Sequence, residues 1–311
     1  MDALRLPVIR VWLELEVEDP TLLPRYLFSP LRGVLGAQLK RLSCVARRYE
    51  TCLDCPLSQH CAYGYIFETP RPEEADRLRL YPYLPHPFTF TPPYPAPASP
   101  RVVIGLTLVG RGIQYFPHFV LAFEAAGKRG LGEKRVPFRL AGIRDHRHRR
   151  PLYQGGQLAP PELYEEFPKR PCSHLRLVFH TPVTLRYHGQ LVTPQTFAFH
   201  VLVRNLLRRL SSLSYFHAGQ ALDVDFKGLI AQAEEVRTVA QDLRLVTIRR
   251  YSARQKQVMP LRGLVGEVRF QGEITPFTPL LQAGELVHVG KNTSFGFGYY
   301  VCCYEKYEIK H

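Results

Sequence analysis

The chain has 311 residues, 45% of them hydrophobic and 12% aromatic, enough for two domains or one large one and too apolar for a disordered or fibrous protein. Forty-one Lys and Arg against 27 Asp and Glu leave 41 − 27 = +14 with histidine neutral, which points to an anionic partner, nucleic acid first. No apolar run approaches the roughly 18–20 residues of a membrane helix, and Met1 is followed by Asp2 in place of a signal peptide, so a soluble cytoplasmic protein with no membrane partner is expected.

In chain order, Ile9, Val11, Leu13, Leu15 and Val17 alternate with Arg10, Trp12, Glu14 and Glu16, the period of a strand with one buried face. Ser29 and Pro30 offer an N-cap and a first helical position, and Leu31, Val34, Leu35, Leu39 and Leu42 predict a helix running to about Ser43. Eight prolines in residues 81–100 forbid a regular helix and favour an extended connector or wrapping arm. Val102, Ile104, Leu106 and Leu108 predict a strand, and Phe116, Phe119, Val120 and Phe123 a helix that stops at Gly127. The basic, proline-containing stretch 144–171 is the expected domain junction.

The second half repeats the pattern. Leu175, Leu177 and Phe179 read as a strand, Thr193-Pro194 caps a helix, and Phe199, Leu202, Leu206, Leu210 and Leu213 form its apolar stripe. Leu264, Val268 and Phe270 read as another strand, followed by a short helical turn at Phe277, Leu280 and Leu281. Each half ends in a glycine-and-lysine loop, Gly127–Gly132 and then Gly290–Gly298. This internal duplication predicts an α+β protein of tandem ferredoxin-like (RRM-like) domains: residues 1–165, with a cysteine-rich insertion at about 44–68, and residues 166–311, with the glycine-rich loop.

Three stretches carry candidate chemistry. Seven cysteines without a secretion signal argue for reduced thiols or metal ligands, and Cys44, Cys52, Cys55 and Cys61 have the spacing to wrap one soft cation. Structural zinc is expected, with an iron–sulfur cluster as the alternative; four protein ligands would leave no open position for a substrate. The run Arg249 to Lys256 packs cations with one aromatic side chain: Arg250 and Arg254 suit phosphate oxygens, Tyr251 can stack on a base, and Gln255 and Lys256 add donors. In the terminal loop, Lys291, Thr293 and Ser294 offer donors to a phosphate backbone, and Gly296 and Gly298 allow close approach. Arg204 and Arg208, opposite the apolar stripe of the second predicted helix, are further candidate RNA contacts.

Together these residues resemble a family. Leu31–Gly36, the Cys52–Pro56 and Cys61–Glu68 segments, Gly105–Gly110, Arg250–Ser252 with Arg254-Gln255, and Gly284 through Gly298 resemble CRISPR-associated RNA-processing endoribonucleases of the RAMP superfamily, in a branch with a four-cysteine insertion. The resemblance implies binding of CRISPR repeat RNA, association with effector-complex subunits, and cleavage of the precursor transcript into guides. It also implies a metal-independent reaction in which a ribose 2′-hydroxyl attacks the adjacent phosphate and leaves a cyclic phosphate. Such a reaction needs a base, a stabiliser of phosphorane charge and an acid. Relatives often carry a catalytic histidine on or near the first helix, where this chain has none. His217 and His288 are the histidines nearest the expected RNA surface, and Arg32, Tyr26 and Lys40 are alternatives near the first helix. The missing first-helix histidine also fits a non-cleaving RNA-binding subunit, whereas no cofactor fingerprint supports a redox enzyme.

Overall fold

The computed structural model describes residues 3–72, 83–154, 156–252 and 257–305. Two compact units divide the chain: Val8–Leu163 with Phe216–Gly219, and the remainder.

The first unit is built on β1 (Ala3–Val17), α1 (Phe28–Ser43), β2 (Phe88–Thr91), β3 (Arg101–Val109), α2 (Phe116–Gly127), β4 (Phe138–Asp145), β5 (Pro151–Gln154) and β6 (Gln157–Leu158). The sheet order is β2-β3-β1-β4-β5-β6, and β1 runs antiparallel between β3 and β4, with Trp12 facing Gly105 on one side and Arg144 on the other. The alternation of β1 decides which face is covered. Ile9, Val11, Leu13, Leu15 and Val17 are buried in one core with Leu31, Leu35 and Leu39 of α1 and Phe116, Phe119, Val120 and Phe123 of α2. On the polar face, Glu14 accepts from Arg144 at 2.7 Å and Glu16 pairs with Arg139. α1 begins at Phe28 without a side-chain cap, so Ser29 is helical and not the N-cap; Leu42 of the expected stripe is exposed where the last turn leaves the core. β1 begins in the second unit, to which Ala3–Pro7 belong, and β7 (Leu163–Pro168), which pairs with β1, lies in that unit from Tyr164 onward.

The second unit contains β8 (His174–Val183), the short hairpin β9 (Arg186–Tyr187) and β10 (Gln190–Leu191), α3 (Phe199–Ala218), α4 (Phe226–Glu234), β11 (Arg237–Ser252), β12 (Gln257–Gln271), α5 (Thr278–Val287) and β13 (Tyr300–Glu305). Thr193 forms a capping box with Thr196, but it caps a single 3-10 turn and α3 starts only at Phe199. The sheet order is β11-β12-β8-β13, antiparallel throughout. Phe199 of α3 packs edge-on against Phe270 and Phe277, at 5.0 and 5.1 Å between centroids.

In both units the first strand of a β-α-β-β-α-β series lies centrally, between the third and the fourth. The protein is therefore a tandem of ferredoxin-like domains. β11 was not legible as a strand, because it is an edge strand whose side chains are largely exposed. β12 pairs with β8 from Leu264 to Gln271, and residues 257–263 and their β11 partners 246–252 continue beyond it as a two-stranded ribbon. Among the described residues, no helix is long and apolar enough to cross a membrane.

Candidate nucleic-acid interface

The terminal glycine-rich loop is pinned to the end of β8. Lys291 N donates to Thr184 O at 3.0 Å, Gly298 N to Pro182 O at 2.9 Å, and Val289 N to Gly298 O at 3.1 Å. This closure demands glycine: Gly298 has φ +83°, and a Cβ there would lie 2.0 Å from Val289 O. The 3-10 turn at Thr293–Phe295 folds inward, so Thr293 and Ser294 are 7% and 5% exposed. Their expected role as outward donors is corrected by that burial. Gly296 and Gly298 are buried too, and Lys291 is the cation that the loop presents to solvent.

Around Lys291 the second unit collects positive charge. Burial first, then the guanidiniums of Arg186 and Arg208, hold its pKa below the ordinary lysine value. Arg186, on β9, donates to Gly189 O at 2.6 Å, and Arg208, on α3, donates to Asn205 Oδ1 at 3.1 Å. Asn205 joins the two elements through bonds from Nδ2 to Arg186 O and Val201 O, at 3.1 and 2.8 Å. Among the described residues, none of the three cations has a carboxylate partner. Like charges held together without counterions are a site for an anion. Arg186 was missed in the sequence because it lies in a two-residue strand outside any basic run. Arg204 is turned elsewhere, 3.8 Å from Glu234 and over the Tyr187 ring.

Behind the loop, Arg209 is 8% exposed, and its Nε donates to Val287 O at 2.9 Å and His288 O at 3.1 Å. It thereby caps the carbonyl end of α5 where the loop begins. Arg250 of the ribbon sits with its guanidinium 4.6 Å from the Phe295 ring centroid, and burial lowers its pKa. The two basic segments read separately in the sequence thus meet in space. The side chain of Tyr251, and all of Arg254, Gln255 and Lys256, lie outside the described residues.

Neither histidine expected to act on RNA faces solvent. His217 is 3% exposed; its Nε2 donates to Pro85 O at 2.8 Å, so its Nδ1 accepts from Tyr65 Oη at 2.8 Å. His288 is fully buried and its Nδ1 donates to Phe297 O at 3.0 Å. As folded, both rings bind their own chain, which gives their positions a structural reason.

On α1, the Arg32 guanidinium lies 4.1 Å over the Phe67 ring, and an N–H donates to His86 Nε2 at 3.1 Å. His86 Nδ1 is 2.8 Å from Thr69 Oγ1, which donates in turn to Ile66 O at 3.1 Å. Gly36 makes room for this arrangement, since a Cβ there would fall 2.2 Å from the Phe67 ring. Nearby, Tyr63 Oη donates to Glu68 at 2.8 Å, and Lys40 Nζ lies 5.5 Å from the Tyr63 ring centroid. Tyr26 stacks on Tyr94 at 5.5 Å. His86 escaped the sequence reading because it lies in the proline-rich segment, far along the chain from α1.

Cys44, Cys52, Cys55 and Cys61 are free thiols, and among the described residues no three His, Cys, Asp or Glu side chains converge to hold an ion. Burial, then Glu68, pushes the Cys52 thiol up to about 11.

Two family models match this chain. That described as "AF_1859_N: N-terminal domain" matches residues 6–165, and that described as "CRISPR-associated endoribonuclease Cas6" matches residues 177–300. An uncharacterized protein of Archaeoglobus fulgidus is 22% identical over 288 residues, covering 89% of this chain and 92% of its own length. The solved structure of Thermus thermophilus Cas6 (TTHB231) is similar with a TM-score of 0.57 at 17% identity, covering 96% of this chain and 99% of that one. A protein from a Cas6-related gene of Pyrococcus furiosus gives 0.51 at 12% identity, covering 96% and 100%. At these identities the structures show a common fold.

Proposed function

We propose that this chain, whose residues 177–300 match the Cas6 endoribonuclease model behind an N-terminal domain of AF_1859 type, binds CRISPR repeat RNA and cuts the precursor transcript into guide RNAs. The observation that carries this reading is the cluster of Arg186, Arg208 and Lys291 around the glycine-rich loop, three cations with no carboxylate among the described residues. A phosphate backbone supplies the missing counter-charge. Phe295, its ring centroid 4.6 Å from the Arg250 guanidinium, adds an aromatic and cationic flank on which an unpaired base can stack.

The cleavage we propose needs no metal: the 2′-oxygen attacks phosphorus and the P–O5′ bond breaks, leaving a 2′,3′-cyclic phosphate and a 5′-hydroxyl. Incubating the protein in EDTA with the repeat RNA of its host's own array tests this. One discrete cut, abolished by a 2′-deoxy substitution at the scissile nucleotide, is expected; intact RNA throughout would defeat it.

A second reading, a repeat-binding subunit that does not cut, rests on the lack of a histidine on α1. Tight binding without product would select it. Effector-complex subunits are proposed as further partners, and co-purification from host cells tests them. A structural zinc or iron–sulfur cluster on Cys44, Cys52, Cys55 and Cys61 is a separate proposal, resting on their spacing alone. Elemental analysis of the purified protein, with Cys52→Ser as control, decides it.

A further inference from the structure

We propose that the turn of the β9–β10 hairpin is a stacking site for one unpaired nucleobase, with His188 as its platform; the proposal deepens the RNA-binding reading above and rests on it. The hairpin joins Tyr187 to Gln190 through His188 and Gly189, which have φ +47° and +78°. Positive φ at both central residues is the type I′ geometry, which asparagine and glycine adopt best. Gly189 meets that demand. His188 does not: a larger side chain in the left-handed region costs free energy that glycine would spare.

What the position supplies is an exposed ring on a braced support. The ring centroids of His188 and Tyr187 are 4.1 Å apart. Tyr187, half-buried, is met edge-on by His200 at 5.5 Å, and the Arg204 guanidinium lies 5.7 Å from its centroid and 3.8 Å from Glu234. Side chains of α3 and α4 thus fix the inner ring, while the outer one, His188, is exposed. Among the described residues the His188 ring makes no hydrogen bond or ion pair. A Cβ built on Gly189 meets nothing within 4 Å, so the tip of the turn is open.

The turn is also tied to the cation cluster. Arg186, the residue before Tyr187, donates to Gly189 O at 2.6 Å, and Lys291 N donates to Thr184 O at 3.0 Å, at the foot of the same hairpin. A phosphate held by Arg186, Lys291 and Arg208 therefore has the turn beside it, and a single sugar joins a phosphate to its base. In an unpaired strand that base is free to turn out and lie on an aromatic face, whereas in a duplex it is already stacked and paired. Stacking uses the π-face that every base has, so the site selects unpaired over paired nucleotides without selecting among bases.

The test is a fluorescence-anisotropy titration of the host's own CRISPR repeat RNA, with a thermal melt of each protein. His188→Asn suits the turn better than histidine, so its melting temperature should equal or exceed that of the wild type while affinity falls about tenfold. Its slope of log affinity against log salt should keep the wild-type value, which separates a lost stack from a lost phosphate contact. His188→Phe retains an aromatic face and should recover most of the lost affinity. With 2-aminopurine placed in turn at each unpaired position of the repeat, one position should be quenched by the wild type and not by His188→Asn. Equal affinities of wild type and His188→Asn, or the same quenching pattern with both, would overturn the stacking site and leave RNA binding by the cation cluster standing. A wild type that does not bind repeat RNA would remove both.

Discussion

The guanidinium of Arg250 lies 4.6 Å from the Phe295 ring centroid, so a residue of the β11–β12 ribbon and a residue of the glycine-rich loop form one surface. Replacing either partner tests whether RNA uses it. Phe295→Ala should weaken binding to repeat RNA by about 1–3 kcal/mol if a base stacks there, and Arg250→Glu should weaken it further and lower the salt dependence. Equal affinities in filter-binding titrations at two salt concentrations would place the RNA elsewhere.

The cations around Lys291 predict a graded electrostatic effect. Lys291→Ala, Arg186→Ala and Arg208→Ala should each reduce the slope of log affinity against log salt by about 0.7, the value for one lost single-strand phosphate contact. Arg204→Ala is the contrast. Its charge is turned to Glu234, and its slope should match the wild type.

His217→Ala should destabilise the protein by about 1–3 kcal/mol, because it leaves the Pro85 carbonyl and the buried Tyr65 hydroxyl without their partner. Cleavage by the folded fraction should stay near the wild-type rate. A well-folded variant with normal affinity and no single-turnover product would instead restore His217 as a catalytic residue.

A pH effect on stability is expected from His146, which packs against Trp12 at 5.4 Å. Burial first, then Arg10 and Arg149, pull its pKa from 6.5 to about 4. The folded state thus holds the ring neutral while the unfolded chain protonates it, so the associated stability is complete above 6.5 and drains away as pH falls toward about 4. Thermal melts of wild type and His146→Gln should converge on acidification across that window. Parallel curves would show that His146 contributes nothing to the acid response.

Gly298→Ala should cost about 2 kcal/mol or more, since the new methyl group would need both a left-handed backbone and space occupied by Val289 O. Differential scanning calorimetry reads the loss directly, and RNA affinity should fall with the loop's geometry.

The sequence was most informative where periodicity and burial coincide. The alternation from Ile9 to Val17, the α1 leucines and the Phe116–Gly127 helix all reappear because each buries its apolar stripe in one core. Reading failed where side chains work against their type. Thr293 and Ser294 looked like phosphate donors but close a turn inward, and His217 and His288 looked available but satisfy buried carbonyls. Arg186 and His86 were invisible for another reason: their partners are distant in the chain, and only the strand order and the loop after α1 bring them together.

The two-stranded ribbon beyond Leu264 has a cost for any cell that makes much of this protein. Val258, 61% exposed, stands on a stretch whose outer rims pair with no further strand among the described residues, the template on which a neighbouring molecule could stitch itself. Pro260, which withdraws one amide proton, and the adjoining Arg249 and Arg250, which repel their own copies, act as gatekeepers against that stitching. Substituting all three with strand-forming neutral residues should turn a soluble preparation into an aggregating one, visible as a rise in light scattering, without touching either core.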